Sequence, residues 1–172
     1  TSSSSKLINS EFIFNKDQLE FLRKINKKIS TSAIENFLDK INKDEINVIG
    51  ESIIDSYTEL HALNKSGKES ILNFLERKKY SYLGGTLAVC NNISNFVKKV
   101  RLITYIGDKR DYKSFIKKNL NKNVEFFVVK KKNSPTIFKQ RFLDQYSTKK
   151  IIGIYDLNDE DLDKNSEKII LK

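Results

Sequence analysis

Residues 48–57 read VIGESIIDSY, an apolar run that meets Gly50 and is followed closely by Glu51, Asp55 and Tyr57. Read alone, it is a short buried strand stopped by a glycine, with two carboxylates at its mouth. The segments downstream of it decide the fold. LAVCNNISNFVKKV (87–100) sets Val89, Ile93, Phe96, Val97 and Val100 at helical spacing, and RLITYIG (101–107) is a second strand closed by a glycine. DYKSFIKKNL (111–120) returns to helix, and VEFFVV (124–129) is again a strand. Strands alternating with helices of about ten residues predict βαβ units, and so an α/β fold with a mostly parallel sheet and flanking helices.

Two stretches break the alternation. TIFKQRFL (136–143) and KKIIGIY (149–155) flank the turn-like DQYST, which predicts an antiparallel hairpin, a small β lid attached to the sheet. Period two places Ile137, Lys139 and Arg141 on one face of its first arm and Phe138, Gln140 and Phe142 on the other. KESILNFLERKK (68–79) is open between helix by propensity and strand by its place before YLGG. Upstream, two amphipathic helices precede the sheet. Asn15 caps the first, with Leu19, Leu22, Ile25 and Ile29 on one face; Ser32 and Glu35 form a capping box for the second.

Composition narrows the function classes. With 38% hydrophobic residues in 172, the chain can bury a core as one principal domain; its single cysteine, Cys90, excludes an internal disulfide. No run approaches the ~20 apolar residues that span a bilayer and none reads as a signal peptide, so no membrane role and a cytoplasmic location are expected. The net charge of +10 invites a nucleic-acid partner. The lysines, however, are scattered through almost every segment, without the clustering and interleaved aromatics of such modules, which favours a solvated surface.

In open α/β sheets ligands bind beyond the carboxyl ends of the strands. Three stretches have that address: Gly50 to Asp55, Gly84-Gly85 ahead of the helix carrying Asn92, and Gly107-Asp108. Glycines admit close backbone approach and short carboxylates accept hydrogen bonds from hydroxyls, which suits a sugar or other polyol. Each glycine equally suits a turn, Asp108 a helix cap, and Lys139 with Arg141 a solvated strand face. His61 lacks a neighbour of metal-ligand type and Cys90 sits on a helix as packing, so neither is expected to be catalytic and no metal site is expected. Neither a Walker sequence nor G-x-G-x-x-G is present.

In order, these pieces resemble the N-terminal half of a ribokinase-like (PfkB-type) carbohydrate kinase, and most closely the heptose-phosphate kinase branch. VIGESIIDSY is similar to the family's opening G-D-x-x-x-D-x-Y, with Gly50, Asp55 and Tyr57 kept and Glu51 in place of Asp; YLGGTLAVCNNIS carries Gly84, Gly85 and Asn92 of the Gly-Gly motif. LITYIGD resembles the next strand and turn, and SPTIFKQRFL the T-x-x-K-x-R lid strand through Thr136, Lys139 and Arg141. The resemblance implies a kinase holding a sugar or sugar phosphate between an α/β body and a β lid that also forms a homodimer clasp. Asp55 would hold hydroxyls, with Gly50 and Glu51 at the same strand end; Gly84-Gly85 would approach the sugar, and Lys139 and Arg141 would meet an anionic substituent.

The chain departs from the family pattern at Ala88, where an Asn is usual, and has no glycine after Gly153, hence no G-A-G-D motif with its general base and anion hole. ATP and Mg²⁺ are therefore implied for the complete enzyme only, with no catalytic residue in this chain, which alone is expected to transfer no phosphate. TSSSSKLIN resembles the closing Ser/Thr motif of cytidylyltransferase-like nucleotidyltransferases, which would give Ser3 and Ser4 nucleotide contacts. The expected organisation is residues 1–11 as the tail of such a motif, 12–45 as interdomain helices and 46–172 as the kinase half. A non-catalytic sugar-binding or scaffolding domain and a basic nucleic-acid module are the competing readings.

Overall fold

The computed structural model describes residues 14–65, 67 and 71–171. Ser3 and Ser4 lie outside the described residues. The chain divides into two compact units, one ending at Lys43 and the other starting at Asp44.

The first unit is a helical pair, α1 (Lys16–Lys28) and α2 (Thr31–Ile41). Asn15 caps α1 as expected: its side chain accepts from Gln18 N at 2.9 Å while its own N–H donates to Gln18 Oε1 at 2.8 Å. The cap of α2 is Ser30, not the expected Ser32. The helix begins at Thr31, so the Ser30 hydroxyl accepts from Ala33 N at 3.2 Å and Ser32 only exchanges a hydrogen bond with Ser30. Leu19, Leu22 and Ile25 from α1, Ile29 at its C-cap and Ile34 from α2 line a shallow apolar pocket of about 380 Å³.

The second unit is built on β1 (Glu45–Lys65). Gly50 does not stop this strand. Residues 45–51 pair in parallel with β3 (Lys99–Gly107), and 53–60 continue without a break to pair in parallel with β5 (Ile137–Asp144) and antiparallel with β2 (Leu72–Gly85). Gly50 fails as a terminator because its backbone stays extended in register with Thr104; only Gly85 among the described glycines takes a positive φ, at 53°. Beyond Gly50, Ser52, Ile54, Ser56 and Thr58 are buried and Asp55, Tyr57 and Glu59 take the other face, the period-two pattern of a strand. Of the ambiguous 68–79 stretch, residues 68–70 lie outside the described residues and the part from Leu72 is strand β2, since pairing with β1 outweighs its helical propensity.

The remaining elements are α3 (Thr86–Ile93), α4 (Lys113–Asn119), β4 (Val124–Lys131), β6 (Lys150–Asp156) and α5 (Lys164–Ile170). The sheet runs β4-β3-β1-β5-β6, with β2 on the second edge of β1. Pairs β4-β3, β3-β1 and β1-β5 are parallel, and β1-β2 and β5-β6 antiparallel. The expected α/β class, mostly parallel sheet, flanking helices and β lid are thus all observed. The lid consists of β2-β1-β5-β6 and shares β1 with the body.

The core lies where α3 and α4 cover one face of the body sheet. Ile54, Leu87, Cys90, Val100, Leu102, Ile106 and Ile116 are fully buried there, each large aliphatic contributing about 1.5–3 kcal/mol. At the point where β1 leaves β3, Ser52 Oγ and Thr104 Oγ1 share a buried hydrogen bond of 3.0 Å. β3 is knitted to the entry of β5 in the same region: Gly107 N donates to Thr136 Oγ1 at 3.1 Å, and Thr136 N to Arg110 O at 3.1 Å.

A Cβ on Gly107 would overlap the backbone of Ser134 and Pro135, which has no side-chain freedom to move aside. Gly107→Ala is therefore expected to lower stability by roughly 3 kcal/mol, the upper range for forced overpacking. A urea unfolding midpoint unchanged from the wild type would contradict this packing.

Candidate functional site

Alternation along β1 and β5 turns Asp55 and Arg141 to the same lid face, where they form an ion pair with both side chains largely buried. The pair holds the Arg141 guanidinium in its charged form, raising its pKa above the ordinary arginine value. Arg141 also lies over the Tyr57 ring at 5.5 Å and the Tyr155 ring at 6.0 Å. The bond to Arg141 uses Asp55 Oδ1. Oδ2 points over Gly84, where a Cβ would fall inside its van der Waals radius. The missing side chain of Gly84 thus makes room for that carboxylate oxygen, which has no protein hydrogen-bond partner among the described residues.

Gly85 is the N-cap of α3, and its positive φ makes the turn from β2 into that helix. Gly50 leaves room for the Thr86 hydroxyl at the start of α3, which a Cβ would strike. Asn92 is exposed in the last turn of α3, at the end of the helix away from Gly84 and Gly85.

Glu51, four residues before Asp55, and Lys139, directly opposite Asp55 in register, share a cavity of about 780 Å³ between the lid base and the 157–162 segment. Tyr105 Oη donates to Glu51 Oε1 at 2.7 Å, and burial with the neighbouring carboxylate pushes the Tyr105 hydroxyl well above the usual tyrosine range, so it stays a donor. Lys139 Nζ lies over the Tyr155 ring at 5.6 Å and has no carboxylate in ion-pairing reach among the described residues. The cavity's outer wall carries Asp159, Glu160 and Asp161. That wall is pinned by Lys131, a buried lysine whose ammonium donates to Asn158 O at 2.8 Å and to Glu160 O, and which rests over the Tyr105 ring at 5.6 Å.

The structure therefore brings Asp55, Arg141, Gly84 and Lys139 together on the lid, with Glu51 sharing the Lys139 cavity, while Asn92 lies at the far end of α3. Sequence reasoning missed Tyr105, Lys131 and the 157–162 wall. Lys131 stands inside a run of three lysines and reads as solvated; only the topology buries it. Tyr82 and Tyr155 were also missed, although period two places each on the Asp55 face. Cys90 is fully buried and its thiol is pushed up to about 11, so it remains protonated and unreactive near neutrality. Among the described residues no three His, Cys, Asp or Glu side chains converge to hold a metal ion, and no helix is long and apolar enough to cross a membrane.

Asp108, at the third glycine turn, has a different role from the expected helix cap. Its carboxylate accepts from Asn133 N at 3.0 Å and Ser134 N at 3.2 Å, closing the β4–β5 connection against β3.

The fold is α/β, a mostly parallel body sheet whose first strand also carries a lid with a carboxylate–guanidinium pair on one face. No protein-family model matches the chain, and no curated protein matches it. Solved structures similar to it include the nucleoside kinase of Methanocaldococcus jannaschii, an archaeal member of the ribokinase family, at 12% identity over 66% of this chain and 37% of that one, TM-score 0.44. The Arabidopsis thaliana ribokinase complexed with ribose and ATP is similar at 17% identity over 67% of this chain and 36% of that one, TM-score 0.47. The Thermotoga maritima ribokinase is similar at 19% identity over 66% of this chain and 35% of that one, TM-score 0.43. The chain spans little more than a third of the length of each.

The backbone N–H of Asn133, then burial opposing it, then that of Ser134 set the net lowering of the Asp108 pKa below the ordinary carboxylate value of 3.8. A group depressed on folding stabilises above its unfolded pKa and loses that contribution as pH falls through the folded one. Stability is expected to be level near neutrality and to fall below about pH 4. Asp108→Asn should flatten part of that acid slope in unfolding midpoints measured across pH; an unchanged slope would show that the carboxylate contributes nothing there.

Proposed function

We propose that this chain is the sugar-holding part of an ATP-dependent carbohydrate kinase of the ribokinase-like type, acting on a phosphorylated sugar of the heptose class. The observation that carries the reading is the division of labour on Asp55: Oδ1 is tied to Arg141, and Oδ2 faces the side-chain-free backbone of Gly84. A carboxylate fixed on one oxygen and open on the other, above bare backbone, accepts hydrogen bonds from sugar hydroxyls at a defined position. Lys139, without a carboxylate partner among the described residues, and the outer side of Arg141 would meet an anionic substituent. Glu51, held by Tyr105, and Gly50 and Gly85 would border the same sugar, with Asn92 the most distant of the motif residues.

In this reading the chain's residues bind and orient the substrate and exclude water beneath the lid. In the same reading, nucleotide binding, the general base and phosphate transfer belong to the complete enzyme. Ser3 and Ser4, as the remnant of a nucleotidyltransferase motif, and residues 12–45 as the joining helices, would place the kinase in a bifunctional cytoplasmic enzyme of nucleotide-sugar synthesis. A second copy would cover the exposed Ile151, Ile152 and Ile154 of β6 as a lid-to-lid homodimer.

Thermal unfolding with a panel of sugars and sugar phosphates tests the site. A sugar phosphate should raise the midpoint of the wild type but not of Asp55→Ala, because a ligand stabilises only the state that binds it. The isolated chain should transfer no phosphate from ATP to any of these sugars. Equal midpoint shifts in both proteins would remove Asp55 from the site, and ATP-dependent phosphorylation by the chain would overturn the assignment of chemistry to another part.

A further inference from the structure

The strand registers place the lid residues on a grid. Asp55 lies opposite Tyr82 on one side and Lys139 on the other, and Lys139 lies opposite Tyr155, so Tyr82, Asp55, Lys139 and Tyr155 form one row across four strands. Two residues further along, Tyr80, Tyr57, Arg141 and Gly153 form the next row on the same face. Four of the chain's seven tyrosines therefore stand on one side of a four-stranded lid, around its ion pair.

Their packing is not uniform. Tyr57 and Tyr80 stack on each other at 5.8 Å, and Tyr82 meets both edge-on, at 6.1 and 5.6 Å. Tyr155 supports both cations, Lys139 and Arg141. Yet Tyr82 is 57% exposed and Tyr155 54% exposed. Rings needed only for packing would be covered; here two outer rings stay open at either end of the row that holds Asp55 and Lys139. With strands about 4.8 Å apart, three intervals separate their backbones by about 14 Å, wide enough for one monosaccharide ring between or upon them.

We propose that Tyr82 and Tyr155, braced by Tyr57 and Tyr80, form a stacking platform that makes this site select the closed ring of an anionic sugar over its open-chain counterpart. The proposal rests on the sugar-holding reading above and names the form of the substrate. A pyranose or furanose presents a fixed apolar patch of C–H groups that lies against an aromatic face. A linear polyol has no such patch, and immobilising its rotatable bonds costs entropy that a closed ring has already lost. Asp55 takes hydroxyls at the centre of the row, and Lys139, beside it, takes the anionic group.

The chain has no tryptophan, so its intrinsic fluorescence comes from tyrosine, and four of its seven tyrosines stand on this face. The test is fluorescence and calorimetric titration of the full chain with glucose 6-phosphate, mannose 6-phosphate, the corresponding open-chain alditol 6-phosphates, glucose and inorganic phosphate. At least one cyclic phosphate should bind about tenfold more tightly than its alditol, the scale of one good aromatic contact. Tyr82→Ala and Tyr155→Ala should each erase that preference, while Tyr82→Phe and Tyr155→Phe keep the ring and the preference.

Equal affinity for ring and alditol, with both lost in Asp55→Ala, would sink the platform and leave the sugar site standing. Binding of inorganic phosphate as tight as that of the sugar phosphates would overturn the platform in favour of a simple anion site. Failure of every probe to bind would overturn the platform, and the sugar site would then stand or fall on the Asp55→Ala midpoint comparison above. Alanine variants that dissociate a dimer in sedimentation without altering the ring preference would assign the tyrosines to a copy-to-copy interface instead.

Discussion

The second unit depends on one strand belonging to two sheets. β1 lies beside β3 in the body and, without interruption, between β2 and β5 in the lid. Nearly every other feature of the unit is referred to it. The core is anchored by its buried Ile54, the lid face by Asp55 and Tyr57, and the change of partners by the Ser52–Thr104 hydrogen bond. Buried Ser and Thr are an uncommon choice for a central strand. The Ser52 and Thr58 hydroxyls find partners, Thr104 and Gln140, whereas the buried Ser56 hydroxyl has none among the described residues.

The lid face carries a second constraint, between a charge and an absence. A largely buried carboxylate is costly unless paired, and Arg141 supplies the pairing. The same carboxylate then needs room, which Gly84 on the neighbouring strand supplies by having no side chain. Arg141 in turn is held between two tyrosine rings, so the guanidinium has little freedom to leave Asp55. Charge, space and ring packing fix one geometry together, as a site needs if it is to hold a ligand without reorganising.

Much of this was legible in the sequence, for identifiable reasons. The alternation from Val48 to Val129 is carried by apolar residues whose period changes from two to 3.6, and the structure follows its order. The helical spacing expected through Val100 fails after Ile93: Val100 pairs in β3, Val89 and Phe96 are exposed, and Leu87 and Cys90 are the residues α3 buries. The common face of Lys139 and Arg141 was readable for the same reason. The run of β1 past Gly50 was not read, because a glycine followed by polar residues looks like an ending; Ser52, Ser56 and Thr58 are buried but do not look apolar. β2 was open because partners, not propensity, decide a segment with both tendencies. The Asp55–Arg141 pair joins residues far apart in the chain, and one sequence contains nothing that links them before the sheet is assembled. Lys131 was hidden by its neighbours in a lysine run.

The continuity of β1 gives the unit a phase. Side chains on a strand alternate between faces, so the number of residues between the last pairing with β3, at Glu51, and the first with β5, at Ile53, fixes which way the whole lid faces. One residue added or removed there would turn Ser56 and Thr58 toward the face now occupied by Asp55 and Tyr57 and bury those two instead, leaving the body untouched. Two would restore the facing but slide Asp55 past Gly84 and Arg141. Changes of length in this segment are therefore all-or-none in effect, so chains that diverge in sequence elsewhere can be aligned through this junction without a gap.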